Sequence, residues 1–349
     1  MKSPVLSVCI ATYNRAEFIG ETLDSLIGQL TEDVEIVVVD GASTDDTPSV
    51  MERYAAGCPQ LRYVRLPAKG GVDQDFCRAV EQAHGTYCWL FPDDDLFKPG
   101  ALRRVLDELR NDHSLVIVNA DVMNHDFTVR LKPSMLDITA DEAYPPDDLE
   151  GLFRTIVPAV SFIGSVVIRR DLWLLREHAR YLGTEFIHVG VIFQERLPGT
   201  AYVIAQPYVS IRYGNAQWRS RSFEIWLKKW PRLIWSFPLI TDDAKRIQVR
   251  PEPWRKLRTL RRYRALGSYS RETYAKFIAP SDASGLFKLA AFAISKMPQS
   301  AWNAWTVWYV ERFKHGKDKQ LMLYDLSRIE RRKAPGSEDE WRDSLAKKR

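Results

Sequence analysis

Three adjacent aspartates, Asp93, Asp94 and Asp95, follow a short apolar run and are the strongest candidates for metal chemistry in the chain. Adjacent carboxylates repel one another, so a fold keeps such a cluster where water or a cation screens the charge. Mg²⁺ and Mn²⁺ typically bind one or two carboxylates together with phosphate oxygens. The triplet is therefore compatible with a metal–phosphate site, while a solvated acidic turn is the simpler interpretation of the motif alone.

Two further polar clusters follow apolar runs, "ATYNR" at 11–15 and "DGASTDDT" at 40–47. Each of them alone is typical of a turn or a helix N-cap, because Asn, Asp-Gly and Ser/Thr residues satisfy backbone groups there. The functional alternative is that Asp40 accepts a hydrogen bond from a ring N–H or a ribose hydroxyl.

Strand-like runs without a polar face alternate with helical patterns through the first part of the chain. This alternation predicts an α/β protein with a mostly parallel central sheet covered on both faces. Ligands of such sheets bind beyond the carboxyl ends of the strands. The clusters at 11–15, 40–47 and 93–95 all fall at that edge, so we expect them to lie together.

The composition is that of a soluble globular protein, with 349 residues, 45% hydrophobic residues and 27% charged residues. The formal charge of +5 is concentrated late in the chain, since positions 251–280 hold eight basic residues and two acidic ones. The four cysteines form no CxxC pair, which indicates reduced thiols in the cytoplasm. The N-terminal apolar run is too short for a signal peptide, and no run has the roughly 18 apolar residues of a membrane span.

Jointly, the order and spacing of the three clusters resemble the A-type nucleotide-sugar glycosyltransferases, especially glycosyltransferase family 2. The resemblance covers roughly residues 3–215 and includes "KGGVDQDFCRAVEQAHGTY" at 69–87 and "WLFPDDDLFKPGAL" at 89–102. It implies the Rossmann-like GT-A fold with a helical C-terminal extension. Residues 1–217 would form the catalytic domain, with the nucleotide-sugar bound by about 1–120 and the acceptor by about 121–217.

The resemblance also implies site residues. Tyr13 would lie against the nucleobase, Asp40 would accept from its ring N–H, and Asp93 would contact the ribose. Mn²⁺ or Mg²⁺ would be held by Asp94 or Asp95, and Arg212 would contact the diphosphate. The nucleotide-binding set is Ala11, Thr12, Tyr13, Arg15, Asp40, Gly41, Asp73, Asp93 and Arg212.

The second half is similar to a narrower subgroup, the bacterial O-antigen sugar transferases of the abequosyltransferase type. Matching its apolar pattern to the family's catalytic position places His188 there, with Glu185, three residues earlier, as the alternative. Either side chain can take a proton from an acceptor hydroxyl near neutral pH, and direct displacement would invert the anomeric centre. The expected acceptor-side residues are Gly164, Ser165, Asn215 and Trp218.

Tryptophans and basic residues become frequent from about Trp218, so residues 218–335 are expected to form a helical region, followed by a tail at 336–349. The spacing of Trp302, Trp305, Trp308 and Tyr309 suits either core packing or an interfacial helix.

The resemblance implies a UDP-, CDP-, GDP- or dTDP-linked donor and a glycan acceptor carried on a lipid diphosphate. The protein would then lie on the inner face of the plasma membrane, on an anionic surface, and serve bacterial surface polysaccharide synthesis. A non-catalytic nucleotide-binding or scaffold protein of the same fold is the alternative. Nucleic acid is not expected as a partner, because no recognised binding module is present.

Overall fold

The computed structural model describes residues 3–316 and 318–331, so the tail expected at 336–349 lies outside the described residues. Ten strands occur in the described part of the chain: β1 Leu6–Thr12, β2 Val34–Asp40, β3 Leu61–Arg65, β4 Tyr87–Phe91, β5 Leu96–Phe97, β6 Leu115–Met123, β7 Arg130–Lys132, β8 Glu142–Tyr144, β9 Val166–Arg169 and β10 Ala201–Arg212. The α-helices in the same residues are α1 Ile19–Ile27, α2 Thr47–Gly57, α3 Val72–Gln82, α4 Ala101–Leu109, α5 Leu149–Val160, α6 Arg170–Leu175, α7 Ile187–Phe193, α8 Ser222–Glu224, α9 Trp230–Trp235, α10 Asp242–Gln248, α11 Leu257–Ala265, α12 Arg271–Phe277, α13 Gly285–Lys296, α14 Gln299–Phe313 and α15 Lys319–Arg331.

The strands form one sheet in the order β3-β2-β1-β4-β9-β6-β10-β5, with β7 beside β6 and β8 beside β10. The first four strands run parallel, as the apolar runs predicted. Their register pairs Thr12 with Asp40 and Ile10 with Phe91, so β1, β2 and β4 end at the same edge. The residues that follow these strands therefore emerge side by side.

The second half of the sheet fixes the acidic turn. β9 runs antiparallel between β4 and β6, and β10 runs parallel to β6 with a register shift between Ile204 and Val209. The end of β10 pairs antiparallel with β5, which begins directly after Asp95. This pairing brings the Arg212 backbone beside the turn that carries the three aspartates.

The chain divides into two compact units. The first holds the described residues up to 215 together with 229–251, and the second holds 216–228 and the described residues from 252 onward. The division at 215 lies close to the domain end expected at 217. However, the segment 229–251, which the sequence assigned to the helical region 218–335, belongs to the first unit.

Aromatic packing explains the placement of that segment. The ring of Trp230 lies 4.7 Å from that of Phe186, and the ring of Phe237 lies 5.6 Å from that of Phe193, both on or beside α7. Leu233 is also buried there. A helical pattern of large apolar residues predicts burial, but it does not identify the surface against which they are buried.

The second unit is helical, with a core around Phe223, Trp254, Leu260 and Tyr269. Its α13 and α14 carry exposed apolar side chains, including Leu286 and Trp308. Among residues 3–316 and 318–331, no helix combines the length and the apolar character needed to cross a bilayer.

Candidate functional site

The loops after β1 and β2 are locked together by hydrogen bonds. The Asn14 backbone N–H donates to Ser43 Oγ at 2.9 Å, and the Thr44 N–H donates back to Asn14 Oδ1 at 2.8 Å. The Arg15 N–H donates to Thr47 Oγ1 at 2.9 Å. Asn14 adopts a positive φ of 53°, a conformation that Asn tolerates better than most residues. The polar clusters at 11–15 and 40–47 therefore form one surface, as their position at the strand ends predicted.

Asp40 ends β2 and is fully buried. Its Oδ1 accepts from the Ser43 N–H at 2.8 Å, and its Oδ2 accepts from the Tyr63 hydroxyl at 2.6 Å. Burial, followed by the bond to Asp40, raises the pKa of Tyr63, so the phenol keeps its proton and remains a donor. Each oxygen of the residue expected to read the nucleobase thus already has one protein donor.

Tyr13, the residue expected to lie against the nucleobase, is covered on one face by a cation. Lys69 Nζ lies 3.5 Å from the centroid of its ring, which is a close cation–π contact. Lys69, Tyr63 and Asp75 were not singled out from the sequence. The available signal was positional, since β3 ends at the same edge of the sheet and α3 begins there.

The three aspartates are all buried or nearly so and share two arginines. Arg15 contacts Asp93 Oδ1 at 3.4 Å through Nε and Asp94 Oδ2 at 3.3 Å through Nη2. Asp95 Oδ1 accepts from the Arg212 backbone N–H at 2.6 Å. Asp93, expected at the ribose, and Asp94, expected at the cation, therefore contact the loop after β1 through Arg15.

Arg212 organises this turn from inside. Its Nε donates to the Asp94 carbonyl at 2.9 Å, its Nη1 to the His125 carbonyl at 2.8 Å, and its Nη2 to the Glu21 carboxylate. Its guanidinium also lies 4.3 Å from the centroid of the Phe127 ring. In this structure the Arg212 guanidinium, which was expected to contact the diphosphate, donates its hydrogen bonds to protein oxygens.

Charge balance at the turn favours a cation. Four carboxylates (Asp93, Asp94, Asp95 and Glu21) meet two guanidinium groups, which leaves two negative charges in excess when all are ionised. Burial, with the neighbouring Asp94, raises the pKa of Asp93 to about 7 and holds that of Asp95 well above its ordinary value. Both shifts show that charge here is poorly screened by the protein alone.

The carboxylates do not form a complete metal cage. Among the described residues, no group of three His, Cys, Asp or Glu side chains could hold a metal ion by itself. Mg²⁺ and Mn²⁺ commonly take only one or two carboxylates and complete their coordination with water and substrate phosphates. The donor chemistry at Asp94 and Asp95 fits a cation of that kind.

Asp73 lies at the start of α3, and its carboxylate holds the backbone before α7. It accepts from the Glu185 N–H at 2.8 Å and the Ile187 N–H at 3.2 Å. Glu185 has a positive φ of 70°, an unusual conformation for a non-glycine residue, which these bonds stabilise. Its Oε1 lies 2.9 Å from Lys229 Nζ. Asp73, expected near the nucleotide, is therefore a positioning residue for Glu185 in this structure.

His188, matched from the sequence to the catalytic position, is buried in the core between α5 and α7. Its Nε2 lies 2.7 Å from the Val160 carbonyl oxygen, and burial lowers the pKa of its imidazole to about 4. A ring enclosed in this way does not reach an acceptor hydroxyl. The geometry does not support His188 as the base, and it leaves Glu185 as the candidate. The apolar pattern of α7 located the helix but could not show which side of it is enclosed.

The four residues expected on the acceptor side lie in different parts of the structure. The Gly164 carbonyl accepts from Trp89 Nε1 at 2.9 Å, and a Cβ at Gly164 would lie 2.9 Å from Pro92 Cδ. Ser165 is buried, and its hydroxyl donates to the Phe162 carbonyl at 2.9 Å. Asn215 Nδ2 donates to Asp94 Oδ2 at 2.8 Å.

The remaining residue of that set, Trp218, belongs to the second unit, where its ring lies edge-on to that of Trp226. Gly164 and Asn215 thus lie against the acidic turn and the residue before it, within the first unit.

We expect Asp93→Asn to stabilise the metal-free protein at high pH. The folded-state pKa of Asp93, about 7, lies above the unfolded value of about 4, so folding favours the protonated form. The associated stability is fully present below about pH 4 and is lost as the pH rises through 7. The free energy of unfolding of the variant, relative to wild type, should therefore increase between pH 5 and pH 8. Denaturant unfolding in EDTA measures this difference.

The exposed Glu32→Gln variant is the control for general charge effects. A difference between Asp93→Asn and wild type that stays constant over this pH range would contradict the assignment.

Known proteins resemble this chain in the part that carries the strand-end clusters. The profile of glycosyl transferase family 2 matches residues 7–138, which contain all three strand-end clusters. Abequosyltransferase RfbV of Salmonella typhimurium is 28% identical over 227 residues, which cover 60% of this chain and 67% of that protein. Chondroitin synthase of Escherichia coli is 32% identical over 123 residues, which cover 35% of this chain and only 18% of that enzyme.

Solved structures agree on the fold. The S. aureus TarS fragment 1–349 superposes with a TM-score of 0.53 at 17% identity, covering 94% of this chain and 92% of that one. The same fragment in complex with UDP-GlcNAc has a TM-score of 0.53 at 16% identity, covering 94% of this chain and 91% of that one. The chain is therefore a glycosyltransferase with the GT-A fold, and its residues 7–138 match the model of glycosyl transferase family 2.

Proposed function

We propose that the protein transfers a sugar from a nucleotide-sugar to a hydroxyl of a growing glycan in bacterial surface polysaccharide synthesis, with inversion. The observation that carries the proposal is the junction of Asp40, Arg15 and the 93–95 turn at one edge of the parallel sheet. The similarity to an abequosyltransferase supports an O-antigen type of product. The donor is a UDP-, CDP-, GDP- or dTDP-linked sugar.

The nucleotide lies along the loops at 11–15 and 40–47 in this proposal, and Asp93 accepts from a ribose hydroxyl. Asp94 and Asp95 hold Mn²⁺ or Mg²⁺ together with the donor diphosphate. When bound, the cation supplies the positive charge that offsets the negative charge developing on the leaving diphosphate. Arg15 contributes a fixed positive charge to the same turn, beside Asp93 and Asp94.

Glu185 is the proposed catalytic base. Its carboxylate takes the proton from the acceptor hydroxyl while that oxygen bonds to the anomeric carbon and the bond from this carbon to the diphosphate breaks. Lys229 Nζ lies 2.9 Å from its Oε1 and limits the positions that the side chain can take. Asp73 fixes the backbone from which the side chain projects. Attack from the face opposite the diphosphate inverts the configuration.

The second unit offers a surface for the membrane that would carry a lipid-diphosphate-linked acceptor. On α14, the side chains of Trp305, Trp308 and Phe313 are about half exposed, and Trp305 stacks on Tyr309 with 5.5 Å between ring centroids. Trp302, expected on the same stripe, packs instead against a small core cluster. Large aromatic side chains next to basic residues are typical of interfacial helices. We therefore place the protein on the cytoplasmic face of an anionic membrane.

Asp94→Asn should remove the metal-dependent part of nucleotide binding. At a ligand concentration of 100 times Kd, binding stabilises a protein by about 2.7 kcal/mol, which is visible as a rise in Tm. We expect one of UDP, CDP, GDP or dTDP to raise the Tm of the wild type in Mn²⁺ but not in EDTA, and to have little effect on the variant. Asp107→Asn, an exposed substitution on α4, is the control. Equal stabilisation of Asp94→Asn in both conditions would rule out the proposed metal site.

Glu185→Gln should lower kcat by about 10²- to 10⁴-fold, the usual contribution of a general base, with little change in donor affinity. His188→Gln should reduce stability through the lost contact with Val160 but retain kcat within a few fold. Steady-state transfer assays with both variants decide between the two candidates. Full activity of Glu185→Gln, or a loss of kcat confined to His188→Gln, would reverse the assignment.

Replacing Trp305 and Trp308 together by alanine should weaken binding to anionic vesicles by about tenfold. Each substitution removes an aromatic side chain that would otherwise be buried in the lipid interface. Sedimentation with phosphatidylglycerol vesicles at low and high salt measures this. Leu175→Ala, at an exposed apolar position of the first unit, is the matched control. Failure of the wild-type protein to sediment with vesicles at low salt would exclude the surface.

A further inference from the structure

Asp75 is a buried carboxylate beside the Asp40 loop and has no part in the mechanism proposed for sugar transfer. It lies in the first turn of α3 and is 3% exposed. Within the described part of the chain, its Oδ1 is enclosed and has no hydrogen-bond partner. A buried carboxylate oxygen without a donor is costly, which suggests that a ligand supplies the donor.

Two glycines show where the carboxylate points. A Cβ at Gly41, the residue after Asp40, would lie 2.7 Å from Asp75 Oδ2, and a Cβ at Gly70 would lie 3.1 Å from Oδ1. The side chain therefore lies directly against the turn that ends β2. Asp73, two residues earlier, holds the Glu185 backbone instead, because residues two apart on a helix point to different sides.

The charged groups around Asp75 are compatible with binding the polar edge of a ligand. Burial raises the pKa of its carboxyl to about 6, with Lys69 opposing that shift and Asp40 adding to it. Lys69 is the same cation whose Nζ lies over the Tyr13 ring. The cation over the ring on which a base is expected to stack is therefore also near enough to Asp75 to act on its carboxyl group.

Asp40 differs from Asp75 in its hydrogen bonds. One of its oxygens accepts from the Ser43 N–H and the other from the Tyr63 hydroxyl. Those bonds shape the loop after β2 whether or not a nucleotide is present. Asp75 Oδ1, in contrast, has no hydrogen-bond partner among the residues that the structure describes.

We propose that Asp75, rather than Asp40, accepts the hydrogen bond from an N–H on the edge of the donor's nucleobase. Lys69 leaves the face of Tyr13 to the base and donates to the acceptor atom next to that N–H. The pair thus recognises a base edge with a donor next to an acceptor, as in the ring N–H and carbonyl of uracil, thymine or guanine, or the amino group and ring nitrogen of cytosine. The inference rests on the nucleotide-sugar function proposed above.

The test compares nucleotides with a base-free probe on the full-length chain. Calorimetry in Mn²⁺ first identifies which of UDP, CDP, GDP or dTDP binds most tightly, and this nucleotide is then compared with inorganic pyrophosphate. Asp75→Asn should weaken nucleotide binding by about tenfold or more, the usual effect of losing a hydrogen bond to a charged group, and change pyrophosphate binding less than twofold. Gly41→Ala should act in the same direction, because its Cβ displaces the carboxylate without removing it.

Two further variants separate base reading from structural support. Asp73→Asn, on the same helix turn, and Asp40→Asn should lower the Tm of the free protein but preserve the ratio of nucleotide to pyrophosphate affinity. The inference is overturned if Asp75→Asn preserves this ratio, or if only Asp40→Asn changes it. A wild-type protein that binds neither probe would instead overturn the proposed function itself.

Discussion

Carboxylates held out of water at the ends of parallel strands are the constraint on which this site depends. Asp93, Asp94 and Asp95 are held at the end of β4 with two guanidinium groups nearby, and charges in such surroundings interact far more strongly than in water. Burial is the main cause of the raised pKa values of Asp93 and Asp95, and the neighbouring Asp94 adds to it. A divalent cation bound at this edge of the sheet would offset the negative charge of these carboxylates and would also bind a diphosphate.

The arginines that balance this charge also determine the shape of the turn. Arg15 comes from the loop after β1, whereas Arg212 ends β10, so the turn is held from both halves of the sheet. Arg212 uses its backbone N–H and its whole guanidinium on protein acceptors. A planar group with five N–H donors can serve several acceptors at once, and lysine could not replace it here.

The start of α3 connects the two chemical parts of the first unit. Asp73 holds the backbone before α7, from which Glu185 projects, and Asp75 lies against the turn after β2. Both are acidic residues in the first turn of a helix, where the helix dipole favours negative charge. A displacement of this turn would therefore affect the loop after β2 and the Glu185 loop together.

The sequence alone determined the parallel α/β architecture and the meeting of three polar clusters at one edge. These features follow from local patterns, because apolar runs set the strands and parallel strands must end on the same side. The tertiary structure alone decided the pairing of Asp95 with Arg212, 117 residues apart, and of Asp73 with the Glu185 backbone, 112 residues apart. It also decided that His188 is enclosed and that residues 229–251 pack with the first unit. A local pattern shows that a side chain is buried or charged, but its partner is set by distant segments that only folding brings into contact.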